Sequence, residues 1–490
     1  MDRPILIRRS RAQVILRRYV LPGVVLFALV VGIGALPVGF VYFYGKSFDK
    51  QDAEGAVRSK IPEAVRASWF EAAKNKPVAF VDVTVVPMDA NRVLAGQTVI
   101  VKGGRISEIG PVESVKVPAD TTRINASGKF LMPGLADLHI HLQERDEPRD
   151  NLVLLRLFVA NGVTTVLNLR GTAAHLELRE EIRDGEVFAP RLYTTGPFIN
   201  EPFVTTPEQV EQAVMAQKRA GYDFLKMHGD LSRESYARLN QVARSVGMRV
   251  VGHAPRNLGI EAMFEERPHA VAHAEEYIYD RNNSSRNFAA LEPRIPELAA
   301  ATAKANIWLI PNLTAFDIIG RQVDNLDSIL NRAEMRFMPQ NIAEGWGPQT
   351  NPYTRRFGKE LAPGIRARYQ FLEKLVRAMR DAGVRIVTGT DALNTGVVPG
   401  FSIHDELRCL VAAGLTPYEA LRAATANAAD FLGATSEFGT VTVGKRADLI
   451  LVEADPLADV GNASKRAGVM LGGRWFTEAE LGKVLLDRDR

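Results

Sequence analysis

The sequence predicts an α/β protein. A (β/α)8 barrel of the TIM type spans residues 133–435, and a small β-sandwich is built from both ends of the exported region (77–132 and 436–480). One N-terminal transmembrane helix precedes them. Three observations carry this prediction. Strand-like apolar runs alternate with helical ones through the middle of the chain, short β-branched runs flank that middle on both sides, and no residue from Tyr19 to Tyr44 is charged.

Residues 1–18 form a basic tail, with Arg3, Arg8, Arg9, Arg11, Arg17 and Arg18 against the single acid Asp2. Residues 19–44 follow; at ~1.5 Å per residue this apolar stretch can cross a hydrocarbon core of ~30 Å. Pro22 and Pro37 are tolerated in such a helix, and Phe40, Tyr42, Phe43 and Tyr44 suit an interfacial aromatic belt before Lys46. The positive-inside rule keeps the tail cytoplasmic and puts everything after Lys46 outside, in the periplasm if the cell is Gram-negative. An uncleaved anchor is favoured over a cleaved signal peptide, because the stretch outruns an h-region and no A-x-A-like site closes it. Residues 45–76 read as a helical stalk, with Val57, Ile61, Val65 and Trp69 at steps of four.

The formal charge of +4 belongs to that tail. Beyond residue 18 the chain holds 55 basic and 56 acidic residues, so the body has no basic face for nucleic acid. A hydrophobic fraction of 46% excludes wholesale disorder, and the single cysteine, Cys409, excludes a disulfide framework or a multi-cysteine metal site.

In the β-unit, Phe80–Val86, Thr98–Lys102, Arg105–Ile109 and Thr122–Asn125 read as strands. At the other end so do Thr440–Val443, Asp448–Val452 and Val469–Leu471. Between them the expected strands are Ala136–His141, Thr164–Leu169, Arg191–Thr195, Phe224–His228, Arg249–His253, Ala270–His273, Trp308–Pro311 and Arg385–Thr388. Helical runs such as Ser232–Val246 and Tyr369–Ala382 separate them. Eight strands with intervening helices fit a barrel better than an open doubly wound sheet. Residues 317–368 form a long insertion before the last strand, either a lid or a surface excursion.

The chemistry is read from the histidines. Only eight occur, and His139, His141, His228, His253 and His273 fall at the C-terminal ends of expected barrel strands, where barrel active sites are built. His139 and His141, two apart on a strand, share a face. Lys226 lies two before His228 in an apolar strand, where burial costs a charged amine and lowers its pKa. A neutral lysine there can add carbon dioxide to give a carbamate, whose two oxygens suit two cations. Asp391, after Thr388-Gly389-Thr390, offers a carboxylate at the eighth strand.

Several runs together resemble the amidohydrolase superfamily, in its membrane-anchored or exported branch related to Xaa-Pro dipeptidases and imidazolonepropionase-like proteins. They are Pro133-Gly134-Leu135-Ala136-Asp137-Leu138-His139-Ile140-His141, Gly252-His253-Ala254, His273-Ala274-Glu275, Thr388-Gly389-Thr390-Asp391, Ala413-Gly414-Leu415-Thr416-Pro417 and Gly444-Lys445-Arg446-Ala447-Asp448-Leu449. The resemblance implies two divalent metal ions, zinc by default with manganese or cobalt as alternatives. His139, His141 and Asp391 would hold one and His253 and His273 the other, with carboxylated Lys226 bridging. It further implies a water activated between the metals, with Asp391 moving its proton to the leaving nitrogen. The second strand departs from the family, reading Leu167-Asn168-Leu169-Arg170-Gly171, and Lys226-x-His228 stands where the peptidase-like subgroup has Lys-x-Tyr. His228 is therefore a candidate to polarise the substrate carbonyl as well as a candidate packed residue.

Arg256 is a candidate for a substrate carboxylate, and Asn312 and Thr314 for the pocket lining. His404 belongs to a helix start where Ser402 and Asp405 suit capping, and His175 and His269 carry no expected chemistry. The expected activity is cleavage of C–N amide bonds in small molecules, dipeptides or N-acyl amino acids. Hydrolysis of a cyclic amide, lactone or phosphoester is the enzymatic alternative, and a non-catalytic binding protein the alternative from another class. The partners expected are a small-molecule substrate and the membrane, without nucleic acid; homo-oligomerisation stays open.

Overall fold

In the computed structural model the described residues are 76–144, 148–279 and 288–486. The expected tail, anchor and all of the stalk but Lys76 lie outside them. Among the described residues no helix is long and apolar enough to cross a membrane.

Five strands open the described region: β1 (Val78–Val85), β2 (Leu94–Lys102), β3 (Arg105–Pro111), β4 (Thr122–Asn125) and β5 (Phe130–Pro133). Seven follow in the middle: β6 (Leu135–Ile140), β7 (Val163–Asn168), β8 (Arg191–Thr194), β9 (Leu225–Met227), β10 (Val250–Gly252), β11 (Ala270–Ala272) and β12 (Trp308–Ile310). Three close it: β13 (Leu449–Val452), β14 (Arg466–Leu471) and β15 (Arg474–Thr477).

The outer strands do join, because β5 pairs antiparallel with β13, Leu131 opposite Leu451. The result is one bonded sheet in the order β15-β14-β13-β5-β1-β2-β3, with β4 parallel to β1, rather than two separate sheets of a sandwich. Phe80, Val99, Leu131, Leu449 and Met470 form its apolar core. Thr440–Val443 is not a strand: Val441 is buried in that core and its N–H donates to Pro87 O, while Val443 is 54% exposed, so only one of the two valines has a buried face to drive pairing. Gly472 and Gly473, at φ 56° and 86°, make the two-residue turn of the β14–β15 hairpin, a conformation that suits glycine.

The middle strands are parallel, in a three-stranded sheet β6-β7-β8 and a four-stranded sheet β9-β10-β11-β12. Isolated bridges continue the order. Thr195 meets Phe224 between β8 and β9, Leu309 meets Ile386 beyond β12, and Ala392 meets Ile140 on β6. The expected eighth strand, Arg385–Thr388, is thus a bridging segment, not a ladder. Its backbone bonds alternate sides: Val387 N donates to Leu309 O, while Leu138 N donates to Thr388 O. Asp137, fully buried, adds side-chain bonds by accepting from Thr390 N at 2.9 Å and Thr390 Oγ1 at 2.6 Å. Gly389 has to be glycine on space alone, since a Cβ would stand 2.7 Å from the His139 Cβ.

Helices between the strands start where capping residues stand. Ser232 accepts from Ser235 N, Thr206 from Gln209 N, and Thr416 forms a capping box with Glu419. The long insertion is narrower than expected, because its ends continue two helices, Leu313–Asp324 and Ala362–Asp381. What remains between them is tied down: Phe337, Met338, Ile342 and Trp346 pack on Leu154, Leu157 and Val398.

Candidate metal centre

The C-terminal ends of β6, β9, β10 and β11 and the segment after Thr388 each bring a polar side chain to one place. Five imidazoles form a row there. Ring centroids are 5.2 Å apart for His141 and His139, 4.7 Å for His139 and His273, 4.9 Å for His273 and His253, and 4.5 Å for His253 and His228. Asp391 Oδ1 lies 2.9 Å from His141 Nε2 and 3.3 Å from His139 Nε2. Ligand-capable atoms of His139, His273 and Asp391 all lie within 4.8 Å of one another, so His273 approaches the group that the resemblance had divided between two ions. His273 and Asp391 adopt φ of 76° and 62°, left-handed values that cost a non-glycine residue energy and that concentrate at working sites.

Burial sets the electrostatics. Desolvation, with Lys226 and neighbouring imidazoles acting in the same direction, holds His139, His228 and His253 well below the ordinary histidine pKa. His273 is held low too, by desolvation. Neutral imidazole is the form that binds metal. Burial brings the Lys226 amine down to about 8, although Asp391 and Glu276 pull the other way. Burial alone would raise the Asp391 carboxyl, yet the His141 hydrogen bond and the nearby Lys226 leave it below its usual range.

Two partners were not legible from the sequence. Glu276, fully buried, lies 2.8 Å from His253 Nδ1 and 3.0 Å from Arg256 Nη2. It fixes the His253 tautomer so that Nε2 is the nitrogen left for a ligand. A second acid right after His273-Ala274-Glu275, ahead of Tyr277-Ile278, was the available signal. Arg256, expected at a substrate carboxylate, is held by Glu276 and lies over the Tyr279 ring at 4.3 Å, with 18% of its side chain exposed. The second partner concerns His228, whose ring stacks on Phe198 at 4.6 Å with an interplanar angle of 7°.

Asn312, expected at the pocket, is fully buried beside the cluster, with its Oδ1 3.1 Å from His139 Nδ1. Glu406 holds the chain just after it, accepting from Leu313 N and Thr314 N at 3.2 and 2.7 Å; Thr314 is likewise fully buried. With Nδ1–H donating to Asn312, His139 presents Nε2 toward Asp391. Asn312→Gly, which suits the φ of 56° at this position, should weaken zinc binding about tenfold in a chelator competition with little change in KM. Unchanged zinc affinity would remove Asn312 from this role.

The other three histidines hold backbone. His404 Nε2 bonds Asn161 O, His269 Nε2 bonds Phe431 O, and His175 completes a capping box with Thr172 and reaches Gln143 O. No side-chain cap starts the helix Ser402–Ala412, so His404 tethers that helix rather than sitting beside a cap.

The fold and this cluster define the class, a hydrolase whose site is built on the C-terminal ends of parallel strands. The model of the amidohydrolase family matches residues 130–476, and the chain belongs to that family, a family of enzymes acting on C–N bonds. It is 26% identical over 385 residues to the imidazolonepropionase of Sphingopyxis alaskensis, covering 74% of this chain and 87% of that one. It is 31% identical over 130 residues to the adenine deaminase of Rubrobacter xylanophilus, a match that spans only 22% of that protein and 24% of this one. Among solved structures, a Xaa-Pro dipeptidase with bound methionine superposes with a TM-score of 0.63 at 18% identity, over 82% of this chain and 100% of that one. That likeness is one of fold.

Amidohydrolases are typically metal-dependent, and the residues here fit a cation. The donors are imidazoles, those of His139, His253 and His273 kept neutral by burial, and one carboxylate, a set suited to zinc. Lys226 Nζ, 1% exposed at the residue level, has no hydrogen-bond partner among the described residues. A buried amine without a partner is costly unless something else occupies the space it faces.

Proposed function

We propose that this chain is a binuclear metal-dependent amidohydrolase cleaving C–N amide bonds of small substrates, dipeptides or N-acyl amino acids. In this reading His139, His141, His253, His273, Asp391 and carboxylated Lys226 hold the ions. The observation that carries it is the convergence of four imidazoles and Asp391 near the buried Lys226 amine, which has no hydrogen-bond partner among the described residues. The bridges through Thr195, Ile386 and Ala392 support reading the two parallel sheets and the segment 385–392 as one (β/α)8 barrel. The uncharged stretch 19–44 supports an enzyme anchored to a membrane with this barrel outside.

Bound divalent ions supply Lewis-acid activation of water and of the scissile carbonyl. The chain does the rest. The neutral Lys226 amine would add carbon dioxide, forming an N–C bond and releasing a proton, and the carbamate would offer two oxygens to the ions in place of an amine that is costly to charge. The Asp391 carboxylate, beside two imidazoles, would accept a proton and return it to the leaving nitrogen. His228, set by the Phe198 ring, would donate to the substrate carbonyl, and Arg256, ion-paired with Glu276, would offer its remaining N–H groups to a substrate carboxylate.

A library of dipeptides and N-acyl amino acids given to zinc-loaded protein tests the reading. Release of free amino acid from members of either set is the expected result. Turnover only of cyclic amides, lactones or phosphoesters would move the reading to those substrates.

A further inference from the structure

Two side chains of the 317–368 insertion, Tyr353 and Gln322, reach the loop bearing Asp391. Tyr353, on the short helix Pro352–Arg356, donates its hydroxyl to Asn394 Oδ1 at 2.6 Å. Asn394 Nδ2 donates in turn to Asp391 Oδ2 at 3.1 Å. The carboxylate only accepts and the Thr395 N–H only donates, the latter to Asn394 Oδ1 at 2.8 Å, so the amide turns its N–H2 to Asp391 and its oxygen to the tyrosine hydroxyl, which donates. Oδ2 is thereby engaged, and Oδ1 is the oxygen left facing His139 and His141.

The loop needs holding. Asp391 and Leu393 have φ of 62° and 75°, left-handed conformations that a non-glycine residue keeps only where its surroundings enforce them. A further contact from the insertion side holds the loop, and that contact is itself braced. Gln322 Nε2 donates to Thr395 O at 3.3 Å, and Gln322 Oε1 accepts from Asn351 Nδ2 at 2.8 Å. Asn351 also caps the helix of Tyr353 by accepting from Tyr353 N and Thr354 N, and both Asn351 and Gln322 are fully buried. The apolar anchor of Phe337, Ile342 and Trp346 on Leu154 and Val398 holds the insertion itself in place.

We propose that Tyr353 and Asn394 are positioning residues. The insertion acts as a fixed clamp that turns Asp391 so that one carboxylate oxygen is presented to the cation site. This rests on Asp391 being a metal ligand, as read above. The hydrogen bonds in series polarise one another, so their loss should be non-additive.

The test titrates zinc into the metal-free, full-length protein against a chelating dye and follows its thermal unfolding. Tyr353→Phe keeps the ring and its packing. It should raise the zinc dissociation constant about tenfold with the Tm of the metal-free protein essentially unchanged. Asn394→Ala should do at least as much, and the double variant should be no weaker than Asn394→Ala alone. If Tyr353→Phe lowers the metal-free Tm, Asn394→Ala, which leaves the insertion's packing intact, carries the comparison. Zinc affinity within about twofold of wild type in both variants, losses that multiply in the double variant, or a change confined to KM would each overturn the clamp. Wild-type protein that takes up no zinc would overturn the metal reading itself and the clamp with it.

Discussion

Asp391→Asn lowers kcat/KM by at least about 10³-fold, since both the metal carboxylate and the proton acceptor are lost in one change. Asparagine is the informative replacement. The backbone here is left-handed at φ 62°, a conformation that asparagine tolerates, and its Oδ1 can still accept from Asn394. The fold therefore survives while the amide can no longer take a proton. Steady-state kinetics beside thermal unfolding separate the two effects. Activity within about tenfold of wild type, with the Tm retained, would exclude Asp391 from the chemistry.

Lys226→Met moves activity and stability in opposite directions. Methionine matches the length of the buried stem without the amine, so turnover should fall by about 10³-fold as the bridging group is lost. The metal-free protein should meanwhile unfold about 2–4 °C higher, since an unpartnered buried ammonium is removed. The sign of the pH dependence follows from burial, which brings the amine from 10.5 down to about 8 in the fold. Below pH 8 the wild-type folded state carries the full penalty of the charged amine. Between 8 and 10.5 the unfolded chain binds the proton that the folded chain releases, so wild-type stability recovers as pH rises. The Tm advantage of the methionine variant should be largest below pH 8 and vanish toward 10.5. Lys226→Ala, which leaves space, should regain part of its activity with acetate or propionate. A methionine variant no more stable than wild type at pH 7, together with no rescue of the alanine variant, would sink the carbamate reading.

Much of the site was legible because it is local. His139 and His141 are two apart on one strand, Lys226 and His228 two apart on another, and His253 and His273 each end a short β-branched run. Period-two geometry carries all six to the same ends of parallel strands. Strand positions were legible for the same reason, except that Phe130–Pro133 and Arg474–Thr477 were not expected and two expected strands do not form. Arg385–Thr388 forms only bridges, and Thr440–Val443 has an exposed face, so neither makes a ladder.

What was not legible is non-local. Asn312 meets His139 across 173 residues of chain, and Tyr353 meets Asn394 across 41. No periodicity marks such pairs. Glu276 looks like any helix-start acid until burial makes it the partner of His253. The sequence by itself determined which donors exist, which strand ends carry them, and that an apolar stretch precedes them. Only the tertiary structure decided which nitrogen of His139 and of His253 is left over, which oxygen of Asp391 faces the histidines, and that the insertion packs on Leu154, Leu157 and Val398. Those choices depend on hydrogen-bond partners brought together by packing, and in a buried site each polar atom must find one or stand ready for a ligand.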